Sequence, residues 1–331
     1  MLTYKQLAAI IKSNKSFVIS SHINPDGDAI GSELGMYYAL KKMGKDVRII
    51  NHSPVPRELK FLDSENVVEQ YSPRKHNKVI SDSDIFLFLD INQIERVASM
   101  EKVFRKNSDK LKIYIDHHQG PDNFADEMIL KPDVGSVGEI VFDFLDKTKL
   151  VEIDKRMATA LYTAIITDTG SFRYERTSPK THMIAAKLLR LGVNPKITYE
   201  LLYEQDKINR LKLLGKALIS TRVDGNGKVC SMVIRNKDIE EVGGTESDIE
   251  GFVGYTLTLE GVRIGLFFLE FENGFKVSYR SRGTIPMNKL AGEFGGGGHI
   301  NAAGSRLDGK NLDEYMPKVI AKAVEYLQYD S

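Results

Sequence analysis

Three apolar runs in this chain end in residues that bind hard or borderline metal ions. The stretch SHINPDGDAIGS follows SFVIS and carries His22, Asp26 and Asp28; IFLFL ends in Asp90; KIYI ends in Asp116, His117 and His118. A fourth acidic position, Asp168 in TDTG, closes a helical segment that reads as buried. Aspartate after a strand is commonly a helix N-cap or turn former, and a lone histidine is commonly structural. Capping needs one acceptor, however, and three polar groups crowd the strand end at 116–118. Carboxylates mixed with imidazoles suit manganese, iron, zinc or magnesium, and two divalent ions about 4 Å apart are a usual arrangement for phosphoryl chemistry. Asp26, Asp28, Asp90 and Asp168 together carry −4, which two such ions would neutralise. Without cations, the cluster repels itself and raises at least one aspartate pKa.

For these residues to meet, the runs that carry them must be neighbours. The first half alternates short apolar runs (16–20, 46–50, 84–90, 111–116) with helical patterns such as 33–44. That is the signature of parallel strands joined by crossovers. The runs are apolar throughout instead of alternating, as expected where helices cover both sheet faces. Ligands in such sheets sit beyond the carboxyl ends of the strands. Helical patterns follow at 137–146, 154–170 and 179–192, the last closed by Gly192. Residues 193–215 read as a charged helical connector. From 216 the pattern changes to paired strands: ALISTRV, a DGNGK turn, VCSMVIR, VRIGLFFLEF, an Asn273-Gly274 turn and FKVSYRSR, with a final helix at the C-terminal end. The expected architecture is α/β: a doubly wound parallel-sheet domain over 1–192, a helical linker over 193–215, and a smaller α/β mixed-sheet domain over 216–331.

Composition narrows the partners. The 331 residues suffice for two domains, at about 150 residues each. Lys+Arg 46 against Asp+Glu 45 leaves a net charge of +1, without the field of a long nucleic-acid binder, although a local cluster can still hold a short anion. The single cysteine, Cys230, rules out an intrachain disulfide and a cysteine-rich zinc site. Lys5, Lys12 and Lys15 interrupt the N-terminal segment, and no run reaches the roughly 18 apolar residues of a membrane span. A soluble, cytoplasmic protein without a membrane partner is expected.

A second candidate site lies near the C-terminus. In GGGGH, the backbone N–H groups of Gly296, Gly297 and Gly298 could approach an anion closely, and His299 adds a side-chain donor. Arg280 and Arg282 alternate on a strand-like run and would point to one face. Glycine runs are also common linkers, and alternation also fits a solvent face. Ser136 and Arg173 are further candidates to line a substrate cleft, with helix capping as the competing account of Ser136. Phe252 and Tyr255 could stack a base or simply fill a core.

Taken in order, HINPDGDAIGS, Asp90, the DHH triplet at 116–118 and TDTG at 167–170 resemble the four motifs of the DHH phosphoesterase superfamily. SYRSR and GGGGH with the following AAG resemble its DHH-associated domain of the first type. The resemblance covers nearly the whole chain, and its length and layout are similar to those of the bacterial nano-RNase and pAp phosphatase family. It implies that His22 and Asp26 hold one ion, that Asp28, His117 and Asp168 hold a second, and that Asp90 bridges them. Asp116 would orient an imidazole, and His118 would face the phosphate as a donor and assist the leaving oxygen. Arg280, Arg282, the glycines and His299 would hold the other phosphate or the base of the substrate, gripped between the domains. The implied ions are manganese, with magnesium, cobalt or iron(II) as alternatives. The implied activity is hydrolysis of very short RNA to mononucleotides and removal of the 3′ phosphate of pAp to give AMP. An alternative is a phosphodiesterase for the linear dinucleotides pApA or pGpG. A pyrophosphatase would not need the glycine run, and near-neutral charge disfavours a long-DNA exonuclease. A non-enzymatic nucleotide sensor would show eroded ligands, whereas all six ligand positions are intact. The family resemblance also implies a homodimer.

Overall fold

The computed structural model describes residues 1–330, which form two compact units, Met1–Gln205 and a second from Asp206 onward. The first is built on six parallel strands: β1 (Ser16–Ser20), β2 (Asp46–Asn51), β3 (Val68–Gln70), β4 (Ile85–Leu89), β5 (Leu111–Asp116) and β6 (Glu127–Leu130). Their spatial order is β3-β2-β1-β4-β5-β6, so the chain reverses its direction of travel across the sheet between β1 and β4. Such a reversal opens a crevice beyond the carboxyl ends of the two strands.

Both faces of this sheet are buried. Phe17, Ile19, Leu87 and Ile115 pack on one side, while Val18, Phe86, Phe88 and Tyr114 pack on the other. The first side is covered by α1 (Tyr4–Ser13), α2 (Gly27–Lys42), α5 (Val137–Thr148), α6 (Lys155–Asp168) and α7 (Pro179–Arg190), through residues such as Leu7, Leu34, Ile140 and Leu161. The second is covered by α3 (Pro73–Asp82), α4 (Glu101–Lys106) and the 3-10 turn Ile94–Met100, through Ile80, Phe104 and Val97. This two-sided burial is why the strand runs are apolar at every position. The edge strands β3 and β6 and the helix α1 were not legible in the pattern. The edge strands span three and four residues, and most of their positions are half-buried or exposed.

Helix α2 starts at Gly27, six residues before the apolar pattern at 33–44, because Asp26 caps it by accepting from the N–H groups of Asp28 and Ala29. Gly31 looks like a turn former in sequence but lies, with Gly35, inside this helix. A Cβ at Gly31 would sit 2.4 Å from the Ala160 carbonyl oxygen of α6, and one at Gly35 would sit 2.6 Å from Leu161. The two helices are thus packed nearly backbone to backbone.

The second unit carries β7 (Arg222–Asp224), β8 (Val229–Ile234), β9 (Ile264–Phe271), β10 (Gly274–Ser281), β11 (Gly297–His299) and β12 (Ala302–Asp308). Their order is β11-β12-β10-β9-β8-β7, antiparallel apart from the parallel β8–β9 pair. Helix α10 (Leu312–Tyr326) packs Val319 and Ala323 against Phe268 and Phe275. On the other face, Leu213 and Ala217 of α9 (Ile208–Ile219) join Phe252, Phe267 and Leu269. Here the structure corrects one expectation: within ALISTRV, Ala217–Ile219 continue α9, and only Arg222–Asp224 pair as a strand. The i, i+4 pair Leu213 and Ala217 buries one helical face, whereas all three residues of β7 are exposed. Helix α8 (Pro195–Tyr203) completes the first unit. Among the described residues no helix is long and apolar enough to cross a membrane.

Candidate metal centre

Each chemistry-bearing residue of the first unit sits where a strand or helix ends. His22 follows β1, Asp90 follows β4, and Asp116, His117 and His118 close β5; Asp26 and Asp28 open α2, and Asp168 is the last residue of α6. Asp90 stands at φ +58°, a left-handed conformation that aspartate tolerates at modest cost. The structure brings these side chains together. His22 Nε2 lies 3.3 Å from Asp90 Oδ2, and His117 Nε2 lies 3.3 Å from Asp168 Oδ2, 3.6 Å from Asp90 Oδ1 and 3.8 Å from Asp28 Oδ2.

Hydrogen bonding sets the tautomers. His22 Nδ1 lies 2.8 Å from the Ile23 carbonyl and His117 Nδ1 lies 3.1 Å from the Val134 carbonyl. A carbonyl only accepts, so both Nδ1 atoms carry hydrogen, and the Nε2 atoms face carboxylate oxygens. A ring nitrogen anchored through its partner nitrogen to a carbonyl is the usual arrangement of a metal-bound histidine. Asp90 Oδ1 is buried among these groups without a hydrogen-bond partner. His22, Asp26 and Asp90 can offer one set of ligand atoms within 4.8 Å of one another, and Asp28, His117 and Asp168 can offer a second. A further set, Asp90, Asp116, His117 and His118, overlaps both. Lone pairs converging in this way suit divalent cations.

The carboxylates are held differently. Asp26 uses Oδ1 to cap α2. Asp28 is buried and accepts from Val137 N–H (2.6 Å), Gly138 N–H (2.9 Å) and Ser32 Oγ (3.0 Å), placing its charge at the N-terminus of α5. Burial, then the neighbouring Asp90 and Asp168, pushes the Asp28 pKa well up all the same. Burial likewise brings Asp168 to about 6, against the pull of His117. Asp90 is the opposite case: burial disfavours its charge, but His22 above all holds it below the usual carboxylate range. Asp116 accepts from His117 N–H and from His118 Nδ1, both at 2.8 Å, and that bond raises the His118 pKa against burial.

The second unit holds a cavity of about 600 Å³ lined by Arg280, Gly297, Gly298 and His299, with Phe252, Phe267 and Ile249 as apolar wall. GGGGH is no open loop here: its last three residues form β11, paired with β12. A Cβ at Gly298 would sit 2.6 Å from the Ala302 carbonyl oxygen, and one at Gly296 would sit 2.1 Å from that of Gly304. Close backbone packing therefore explains those glycines independently of any ligand. Arg282 lies past the end of β10, donates to the Leu257 carbonyl and is not among the residues lining the cavity, nor is Gly296. Ser136 is fully buried and caps α5 by accepting from Glu139 N–H, as the competing account held. Arg173 is exposed, with Nε donating to the Gly170 carbonyl.

Sequence reasoning missed the residues that hold the ligand-bearing loops. Asn51 accepts from Ser21 N–H (3.0 Å), Ser53 from Asn24 N–H (3.0 Å), and the Arg96 carbonyl from Ile23 N–H (2.6 Å). A polar Asn51 closing the apolar run DVRII was the available signal.

Comparison with known proteins agrees with this architecture. Residues 16–165 match the DHH family, N-terminal domain, and residues 226–328 match the DHHA1 domain. The bifunctional oligoribonuclease and PAP phosphatase NrnA of Thermus thermophilus is 33% identical over 93% of this chain and 89% of its own length. The protein of the same name from Bacillus subtilis is 27% identical over 91% of this chain and 92% of its own. The crystal structure of an exopolyphosphatase-related protein from Bacteroides fragilis superposes with a TM-score of 0.90 at 31% identity, covering 98% of this chain and 96% of that one. With strand-end carboxylates and imidazoles gathered at the crevice, and a separate mixed-sheet unit following, the chain belongs to the DHH family of phosphoesterases.

Proposed function

We propose that this chain hydrolyses very short RNA oligonucleotides to mononucleotides and removes the 3′ phosphate of pAp to give AMP, using two divalent ions, manganese foremost. The observation that carries this reading is the convergence of His22, Asp26, Asp28, Asp90, His117 and Asp168 in a chain similar over 93% of its length to a bifunctional oligoribonuclease and PAP phosphatase. In this reading His22 and Asp26 would hold one ion and Asp28, His117 and Asp168 the other, with Asp90 serving both. Bound there, the ions would neutralise phosphoryl oxygens and acidify the attacking water.

The chain's own groups do the rest. Asp116 fixes His118 with Nδ1 toward the carboxylate, which leaves Nε2 free. The bond to Asp116, against burial, shifts this ring toward its protonated form. As water adds to phosphorus and the bond to the ribose 3′ oxygen breaks, His118 Nε2 supplies that oxygen with its proton. In the second unit, Arg280, the β11 backbone and His299 would hold the rest of the nucleotide.

The test is turnover of pAp, pApA, pGpG and RNA of two to about ten nucleotides, side by side in manganese, with products resolved by chromatography. Phosphate from pAp together with mononucleotides from the shortest RNAs is expected. Turnover confined to pApA or pGpG would replace this reading with that of a linear-dinucleotide phosphodiesterase.

A further inference from the structure

Beneath the metal-ligand cluster runs a buried polar chain that the chemistry above does not use. Glu33 lies five positions after Asp28 on α2, and Asn51 is the last residue of β2; both are fully buried. Asn51 Nδ2 donates to Glu33 Oε2 at 2.8 Å, and Asn51 Oδ1 accepts from the backbone N–H of Ser21 at 3.0 Å. Ser21 immediately precedes His22. The other Glu33 oxygen and the Ser21 hydroxyl are both buried and lack a well-formed hydrogen bond. Burial, against the hydrogen bond from Asn51, pushes the Glu33 carboxyl up to about 8, so its neutral form is favoured at neutral pH.

A core filled with leucine at this position would avoid the desolvation of a carboxyl and an amide. What the polar pair supplies instead is direction. Hydrogen bonds hold the Ser21 amide to one orientation, and the His22 ring, tied by Nδ1 to Ile23, follows its own backbone. We propose that Glu33 and Asn51 are positioning residues that fix the Ser21–His22 segment so that His22 Nε2 faces the Asp90 carboxylate at ion-binding distance. The inference rests on the reading of His22 as an ion ligand. Outer partners of metal-bound histidines typically change metal affinity or activity 10- to 100-fold, about the size expected here.

The test is a manganese titration of the chelator-stripped full-length chain without substrate, together with thermal melts. Glu33→Leu fills the same space without a polar atom and is expected to keep or raise the Tm while weakening manganese binding about tenfold. Glu33→Gln retains an acceptor for Asn51 and a donor for the Ser21 hydroxyl, and is expected to stay within about threefold of the parent chain. Manganese affinity unchanged in folded Glu33→Leu overturns the positioning role alone. If that variant does not fold, Asn51→Ser carries the same test with the same expected loss. A parent chain that binds no manganese overturns the ligand reading of His22, and the positioning role with it.

Discussion

Asp90 is the residue on which the cluster turns. Its φ of +58° swings the chain sharply after β4, and its two oxygens face His22 on one side and His117 and His118 on the other. Such a conformation costs about 1 kcal/mol or more and persists where the surroundings over-determine it. The carboxylates around it titrate unusually, which gives a pH signature. Asp28 is raised and Asp168 sits at about 6, so without cations both retain protons at pH values where ordinary aspartates are ionised. Ligation requires the ionised forms, so cation binding must expel those protons. Manganese binding to the stripped chain should therefore release more protons at pH 6 than at pH 8, with about half a proton of the difference from Asp168 alone. Calorimetry in two buffers of different ionisation enthalpy measures this directly. Equal heats in both buffers at pH 6 would contradict the assignment.

At the scale of elements, the site depends on how closely α2 approaches α6. Asp28 is carried by the first and Asp168 by the second, and both approach His117 within 3.8 Å. Gly31 makes this possible, because any Cβ there would press on the Ala160 carbonyl and the Ala164 amide, which are backbone and cannot rotate away. Gly31→Ala is expected to cost about 1–3 kcal/mol of stability. The same variant should lose manganese affinity beyond what the stability change explains, since Asp28 and Asp168 are spread apart. A melt and a manganese titration on the same sample check both; an unchanged Tm would show that α2 shifts freely. The role of this glycine was not legible, because a glycine next to a serine reads first as a turn. Nearly all of the first half of α2 is buried, which erases the amphipathic stripe that would have marked an earlier start.

At the scale of the whole molecule, the two units divide the chemistry. The first holds the groups that could bind ions, and the second holds a cavity lined by Arg280, His299 and an apolar wall. If the cavity grips the part of the nucleotide that does not react, its residues contribute binding common to ground and transition states. Arg280→Ala and His299→Ala are then expected to raise KM for pAp and short RNA by about 10-fold or more, with kcat changed far less. A generic phosphodiester such as bis-p-nitrophenyl phosphate, too small to need the cavity, should be hydrolysed as before. Equal impairment on that substrate would remove the cavity from substrate recognition.

Residue types, motif order and the apolar runs alone identified a parallel sheet with chemistry at its strand ends, a change of architecture in the last third of the chain, and the family. Those features are local: a strand, a cap or a ligand triplet is written in neighbouring residues. Other features needed the fold. The His117 tautomer depends on the Val134 carbonyl, 17 positions away, and Asp28 accepts from Val137 across 109 positions. The Glu33–Asn51–Ser21 chain joins α2, β2 and the end of β1, none of which marks the others in sequence. Gly296 and Gly298 answer to the backbone of β12, a constraint that composition cannot distinguish from a flexible loop. Periodicity records which face of an element is buried, whereas the orientation of a ligand atom is decided by partners that only tertiary packing brings within hydrogen-bond reach.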